Sequence, residues 1–180
     1  TGYIQVQHPD FWDEKTVDNT FPYAQELEQQ VLEDKNISAC IPRFESFALA
    51  SNGPQTKGVL VMGVDPERED HLSKITDKMV KYRLTPVCVE KIKQDPVLPD
   101  KIKELAALFE NSAYTHASRL QLDLGIKEKE ASQWMPAIKS YAKYENGSIK
   151  MGEPGVWLGD KLASYMQLEM GDTIILIGQR

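Results

Sequence analysis

The chain has 180 residues, of which 41% are hydrophobic, and it carries a formal net charge of −6 at pH 7. A chain of this length can hold one domain with a real core, or one domain with a sizeable insertion. Its mixed composition argues against a disordered protein. The sequence contains neither an apolar stretch of membrane-spanning length nor the clustered basic face of a nucleic-acid-binding protein.

Charge divides the chain into three parts. Residues 1–80 hold 14 acidic and 7 basic residues, residues 81–150 hold 9 acidic and 12 basic residues, and residues 151–180 hold 4 acidic and 2 basic residues. The middle part is therefore basic in an otherwise acidic chain. Because the hydrophobic periodicity changes at nearly the same places, we predict a helical insertion between two β-rich flanks.

The first flank is predicted to begin with a strand and a helix. Residues 3–7 alternate apolar and polar side chains, as a half-buried strand does. Thr20 precedes a Phe-Pro pair, the pattern of an N-cap before a first-turn proline, and the helix then extends to about residue 34. A long strand is predicted over residues 36–51, with a bend at Pro42 because proline cannot donate a ladder hydrogen bond.

A hairpin and a second helix complete this flank. Residues 51–54 are turn-forming, and residues 58–64 return as a near-continuous apolar strand. The second helix begins with proline in its first turn and acidic side chains where the helix dipole favours them. We interpret the four acids of this stretch as a solvated helix N-terminus rather than as a catalytic pair of carboxylates. They are Asp65, Glu67, Glu69 and Asp70.

The basic middle segment is predicted to form three amphipathic helices. They cover residues 99–110, 112–124 and 127–144, with Gly125 ending the second helix and Pro136 kinking the third. Three short helices can leave part of an apolar stripe exposed, and exposed apolar patches often mark interaction sites. The alternative is a self-contained helical cap that meets no partner. The candidate partner-contact residues are Tyr114, His116, Trp134 and Tyr141.

The last 26 residues are predicted to form a strand, a short helix, a tight turn and a strand. Gly159 closes the first strand, and Asp160 is placed to cap the helix. Gly171 can adopt the positive φ that the turn requires, and Asp172 can hydrogen-bond the nearby backbone. Residues 174–177 form a continuous apolar run that is typical of a buried strand. Since a buried strand is an unexpected chain end, we expect the chain to be a piece of a longer protein.

No catalytic site, cofactor site or metal site is predicted. His8 lies in an acidic loop, but one histidine at this spacing matches no defined metal site. Cys40 and Cys88 lack the spacing of a metal or redox motif and are interpreted as two buried, unpaired thiols, with a disulfide as the less favoured alternative. Arg43 is predicted to be structural, either pairing locally with Glu45 or forming a salt bridge to a neighbouring element. We therefore expect no enzyme activity.

Four sequence pieces occur in an order that is typical of one family. They are an opening strand (Gly-Tyr-Ile-Gln-Val), a Pro-Arg strand, a Gly-Val-x-Pro return and a strand–helix–Gly-Asp segment. Together they resemble the extracytoplasmic core domain of MacB-like and lipoprotein-releasing ABC transporter permeases, in the FtsX-like group. The resemblance covers about residues 1–83 and 147–180. Its motif residues outside the opening strand are Pro42, Arg43, Gly63, Asp65, Pro66, Gly159, Leu162, Gly171 and Asp172.

The predicted fold class is α+β, with a small mixed β-sheet core, flanking helices and an inserted helical subdomain. Residues 1–83 plus 147–180 are expected to form the β-rich periplasmic core, incomplete at its C-terminal end. Residues 84–146 are expected to form the inserted helical subdomain. Because this block departs from the family pattern, the resemblance implies no role for it.

The resemblance implies a non-enzymatic domain in the bacterial cell membrane, on the extracytoplasmic side and anchored between the first and second of four membrane helices. Its implied partners are a second permease copy, a cytoplasmic ATPase that acts through the membrane helices, and a lipoprotein, peptide, small amphiphile or envelope protein. No nucleic-acid partner is expected. The alternative is a free-standing ligand-binding or hydrolytic domain with a cleft between the β core and the helical block.

Overall fold

The computed structural model describes residues 3–13, 16–147, 149 and 155–178. The chain divides into two compact units, residues 1–74 with 149–180 and residues 75–148. The boundaries predicted from the sequence were 83/84 and 146/147. Helices and small antiparallel sheets together form an α+β fold, so the predicted fold class is confirmed. The strand pairs of the described residues are antiparallel, where a mixed sheet was predicted.

Seven α-helices and five strands occur among the described residues. The helices are α1 (Gln25–Leu32), α2 (Pro66–Ser73), α3 (Pro86–Gln94), α4 (Asp100–Leu108), α5 (Ala117–Asp123), α6 (Glu128–Ala142) and α7 (Asp160–Tyr165). The strands are β1 (Arg43–Ser51), β2 (Thr56–Val64), β3 (Tyr82–Arg83), β4 (Ala113–Tyr114) and β5 (Ile175–Gly178). Short 3₁₀ turns cover Pro9–Trp12, Val17–Asn19 and Ile75–Lys78.

The first unit contains a three-stranded sheet with the order β2-β1-β5. Strands β1 and β2 form the predicted hairpin, with a continuous register from Arg43 opposite Val64 to Ser51 opposite Thr56. Strand β5 pairs with the other edge of β1, where Ser51 lies opposite Ile175. The prediction that β1 begins near residue 36 is wrong, since the strand starts one residue after Pro42, which has no amide hydrogen to donate.

Two predicted strands are absent from the described residues. Residues 3–8 and 155–159 lie outside helices and strands, and Tyr3, Ile4 and Val6 are exposed. Both predictions are wrong. An alternating pattern indicates a strand only where a neighbouring strand accepts its hydrogen bonds, and the pairs of this sheet are made by β1, β2 and β5.

The first helix begins later than predicted. Its N-cap is Ala24, without a side-chain hydrogen bond, rather than Thr20. The Thr20 hydroxyl instead donates to the Val17 carbonyl at 2.7 Å and ends the preceding 3₁₀ turn. A hydroxyl group can donate as well as accept, so the same residue that resembles a cap in sequence serves another turn here.

One face of the three-stranded sheet carries exposed apolar side chains. Side chains of directly opposed residues lie on the same face of a sheet, so the register places six such residues together. These are Phe47, Leu49, Leu60, Met62, Ile175 and Ile177. The prediction of a buried last strand is wrong, because β5 lies at the sheet edge and all four of its residues are exposed.

The second unit is helical and has a core of its own. It contains α3 to α6 and the two-stranded β3-β4 sheet, where the sequence predicted three helices. Helix α3 was not predicted, although Thr85 caps it by accepting a hydrogen bond from the Cys88 amide at 3.2 Å and Pro86 fills its first position. Residues 112–124 form β4 and α5 instead of a single helix.

The core of this unit lies between Leu84 and Ala142. Helix α3 contributes Val89 and Ile92, and helix α6 contributes Ile138, all of them almost completely buried. Gly125 follows α5 with φ of +65°, a conformation that glycine adopts at little cost, and an added Cβ there would lie 3.1 Å from Leu105 Cδ1.

The two thiols are free, as predicted, but only Cys88 is buried. The prediction of burial is wrong for Cys40, which is half-buried. Burial raises the pKa of Cys88 to about 11, and Lys91 lowers it by a smaller amount. The thiolate is the reactive form of cysteine. We therefore expect Ellman's reagent to modify Cys40 of the native chain first, while Cys88 stays protected even at pH 9 until denaturant is added. Equal rates for both thiols would contradict the buried position of Cys88.

Candidate functional site

Arg43 forms a bidentate ion pair with Glu69. The Arg43 Nε donates to Glu69 Oε2 at 2.8 Å, and Nη2 donates to Oε1 at 2.7 Å. The Glu69 residue is only 3% exposed, whereas the Arg43 side chain is 31% exposed. The hydrogen bond to Glu69 is the main reason that the pKa of Arg43 is raised above its ordinary value. Of the two partners considered from sequence, the salt bridge to a neighbouring element is confirmed, and the charge of Glu45 also raises the pKa of Arg43.

Helix α2 begins with Pro66 in its first turn, as predicted, and Asp65 is its N-cap. The Asp65 carboxylate accepts hydrogen bonds from the amides of Glu67 at 3.1 Å and Arg68 at 3.2 Å. The interpretation of the surrounding acids as a wholly solvated helix N-terminus is wrong for Glu69. The Glu69 side chain is almost fully buried, and the partly exposed Arg43 guanidinium pairs with its charge through two hydrogen bonds.

Arg68 is a second arginine at this position in the fold, and the sequence analysis did not single it out. Its guanidinium binds the Glu28 carboxylate and the Cys40 carbonyl, and Nη1 lies 3.4 Å from the Tyr23 hydroxyl. These contacts connect α2 with α1 and with the segment before β1. Arg68 and Glu69 are adjacent in sequence, and this gives no indication that Arg68 pairs with α1 while Glu69 pairs with β1.

Two of the motif glycines are required for different structural reasons: Gly63 by a close contact and Gly171 by its backbone conformation. Gly63 lies opposite Phe44 in the hairpin, and an added Cβ would lie 3.3 Å from the Phe44 Cβ, which is tighter than most real contacts. Gly171 has φ of +97° in the turn before β5, as predicted. The Asp172 carboxylate accepts a hydrogen bond from the Glu169 amide at 2.7 Å and closes the same turn. Both predictions for this turn are confirmed.

The short helix α7 is capped by Gly159, so the prediction that Asp160 is the cap is wrong. Asp160 is the first helical residue instead, and an added Cβ at Gly159 would meet none of the described atoms within 4 Å. Leu162 is half-buried, and its carbonyl accepts from the amide of the fully buried Met166 at 2.9 Å. The Asn52 side chain donates to the Met166 carbonyl and connects the hairpin turn with this helix.

The four candidate partner-contact residues of the helical unit differ in accessibility. Tyr114 is only 4% exposed and belongs to the core, where burial raises the pKa of its hydroxyl. Trp134 and Tyr141 pack against that core, and the Tyr141 hydroxyl donates to Asp95 at 3.0 Å. His116 is exposed and caps α5, with its Nδ1 2.8 Å from the Thr115 hydroxyl. His116 is therefore the most exposed of the four, while Trp134 and Tyr141 are half-buried.

No group of three or more His, Cys, Asp or Glu side chains in the described part of the chain is arranged to hold a metal ion. His8 has Asp10 beside it, with 3.8 Å between His8 Nδ1 and Asp10 Oδ2. None of the helices in the described ranges is long and apolar enough to cross a membrane. Comparison with models of protein families, with curated proteins and with solved structures found no match to this chain.

Proposed function

We propose that this chain is an extracytoplasmic part of a bacterial ABC transporter permease. In this proposal it has no catalytic role and couples ATP hydrolysis by a cytoplasmic subunit to export or release of a lipoprotein, peptide or small amphiphile. The partners would be a second permease copy and the ATPase, reached through the membrane helices.

The observation that carries the proposal is the pairing of Arg43 with Glu69. The Pro-Arg piece and the Gly-Val-x-Pro piece are about twenty residues apart in sequence, yet Arg43 and Val64 form the first pair of one hairpin. Arg43 then holds the helix that Asp65 and Pro66 begin. Residues of a shared motif are expected to serve one structural unit, and these do.

The fourth sequence piece supports the same reading. Residues 159–172 form α7 and its turn, and β5 then joins the sheet beside β1. The motif residues of the described chain thus belong to the first unit. The opening-strand piece gives no such support, because residues 3–8 form no strand.

Transmission of motion requires an element that keeps its shape when it is displaced, and rigid-body movement is a common way of coupling distant sites. A hairpin of two nine-residue strands, fixed to a helix by two charge-assisted hydrogen bonds, has this property. The proposal therefore assigns the first unit a mechanical role.

The proposal predicts that the protein is located in the membrane, with this chain outside the cytoplasm. The test is membrane-impermeant maleimide labelling of the full-length gene product in intact cells, carrying Leu108→Cys with Cys40→Ala. Leu108 is 74% exposed, so its replacement is accessible. The Cys40→Ala protein alone is the control and sets the background, to which the buried Cys88 should add no labelling.

The expected result is that the Leu108→Cys protein is labelled in intact cells without permeabilisation. Detergent should also extract this protein from the membrane together with an ATPase subunit. Labelling that requires permeabilised cells would show that the chain faces the cytoplasm. A product that remains in the supernatant after membranes are pelleted would exclude the permease assignment.

A further inference from the structure

The helical unit contains a cavity of about 450 Å³ that is open to solvent and is lined by two Lys-Tyr dipeptides. The first is Lys81-Tyr82, before α3, and the second is Lys143-Tyr144, at the end of α6. Helix α6 adds Lys139 one turn earlier. The volume lies within the range of sites that bind small molecules. The sequence analysis attached no function to either dipeptide.

Backbone pairing brings the two dipeptides together. Tyr82 and Lys143 form an antiparallel bridge, and the Tyr144 amide donates to the Lys81 carbonyl at 3.0 Å. The Lys81 amide in turn donates to the Tyr114 carbonyl at 2.8 Å, which fixes this segment against β4. The positions from which both lysines extend are therefore set by the fold and do not depend on a loop.

Three lysines and no acidic residue line the cavity in the described part of the chain. Lys81 lies 3.5 Å from Asp77, and Lys143 lies 2.7 Å from Glu145, but the side chains of both pairs are well exposed. Exposed ion pairs contribute little and leave the ammonium groups available to another anion. Lys139 forms no ion pair with any described residue, and it is exposed on α6.

Stabilisation of the helix end explains the positions of only two of the three lysines. Cations near the C-terminus of a helix are favoured by the helix dipole, which applies to Lys139 and Lys143. It does not apply to Lys81, which lies on a different element. Lys139 and Lys143 are also four residues apart, and like charges at that spacing repel each other. Lys81, Lys139 and Lys143 thus place three cations around one cavity, and Lys81 and Lys143 each have only an exposed acidic neighbour.

The rest of the cavity surface is largely apolar and is formed mainly by the rings of two tyrosines and a proline. Tyr82 and Tyr144 are half-buried, and Pro136 and Ser140 of α6 complete the lining. The Arg83 guanidinium lies 5.3 Å from the centre of the Tyr144 ring and adds a further positive charge next to the cavity. A ligand that uses the whole cavity would place an anionic group among the lysines and an apolar part against the rings.

We propose that this Lys-Tyr cavity binds a phosphate group that carries an apolar substituent. A phosphate monoester brings nearly two negative charges and three acceptor oxygens, which matches three point-like ammonium donors better than a single carboxylate does. The ligand is either a phospholipid headgroup or a free phosphorylated small molecule. The proposal rests on the geometry of the helical unit alone and is independent of the transporter assignment.

The test uses the 180-residue chain and two probes. The soluble probe is dihexanoyl phosphatidic acid, followed by isothermal titration calorimetry. The membrane probe is a phosphatidylcholine vesicle with or without long-chain phosphatidic acid, followed by co-sedimentation. The test variant is Lys81→Gln/Lys139→Gln/Lys143→Gln. The matched control is Lys129→Gln, which removes the same kind of exposed charge from the opposite end of α6. Circular dichroism establishes that both variants are folded.

The expected result is that the triple variant binds at least about tenfold more weakly, since each charge-assisted hydrogen bond contributes on that scale, while the control binds normally. If the soluble probe binds, a free phosphorylated molecule is sufficient as the ligand. If the chain binds only to the acidic vesicles, the ligand is a lipid headgroup in a membrane. The proposal is wrong if neither probe binds, or if both variants lose affinity equally. Equal competition by hexanoate would also overturn it, because that result shows a general anion site without preference for phosphate.

Discussion

Replacing Arg43 with alanine is expected to lower the free energy of unfolding of the first unit by about 1–3 kcal/mol, the range for leaving a buried charged group without its partner. The truncation removes both donors from Glu69, which is 3% exposed. The cost does not approach that of a fully buried pair, because the Arg43 side chain remains 31% exposed and water can reach part of the site. Urea unfolding, together with hydrogen exchange of the β1 and β2 amides, measures the effect.

Three further variants separate loss of the pair from loss of packing. Arg43→Lys keeps the charge but cannot form two parallel hydrogen bonds, so it should recover only part of the stability. Arg43→Ala/Glu69→Ala should cost less than the sum of the single variants, because it leaves no unpaired buried carboxylate. Arg119→Ala removes an exposed arginine from a salt bridge with Asp123 and should cost less than about 1 kcal/mol. Unchanged stability of Arg43→Ala would show that the pair is unimportant.

Local chemistry made several elements predictable from the sequence. The hairpin follows from two apolar runs around a turn, and α2 follows from Asp65-Pro66, because capping depends only on residues within one turn. Gly171 and Asp172 are predictable for the same reason. Helix α3 had an equally local pattern in Thr85-Pro86, which the sequence analysis did not use.

Burial and pairing were less predictable, because they depend on elements that are distant in the chain. The composition of Ile175 to Ile177 is that of a buried strand, but exposure is set by what covers the sheet. Glu69 resembles its solvated neighbours in sequence, and only the position of Arg43 distinguishes it. The Lys-Tyr cavity joins two dipeptides that are about sixty residues apart, so neither indicates a site alone.

Residues 75–148 are expected to fold when they are expressed without the rest of the chain. The fourteen residues of the buried cluster all lie between Leu84 and Ala142, so the core of this unit is complete within the segment. Domains of about 55–65 residues often fold alone, and this segment is longer. Far-ultraviolet circular dichroism should show helix, and urea should unfold the segment in one cooperative transition.

A variant and a chemical probe make this result decisive. Ile138→Asp places a carboxylate at a position that is fully buried, and it should abolish the cooperative transition because no described neighbour is available to compensate a new charge in an apolar core. Cys88 is the single cysteine of the segment and lies in the same core. Its thiol should react slowly in the native segment and rapidly in Ile138→Asp.

Rapid reaction of Cys88 in the unmodified segment, or a gradual loss of helix in urea, would show that the helical unit depends on the rest of the chain. Slow reaction with a sharp transition would establish it as an independent module, in which the lysine variants of the cavity can then be compared without the β-rich unit.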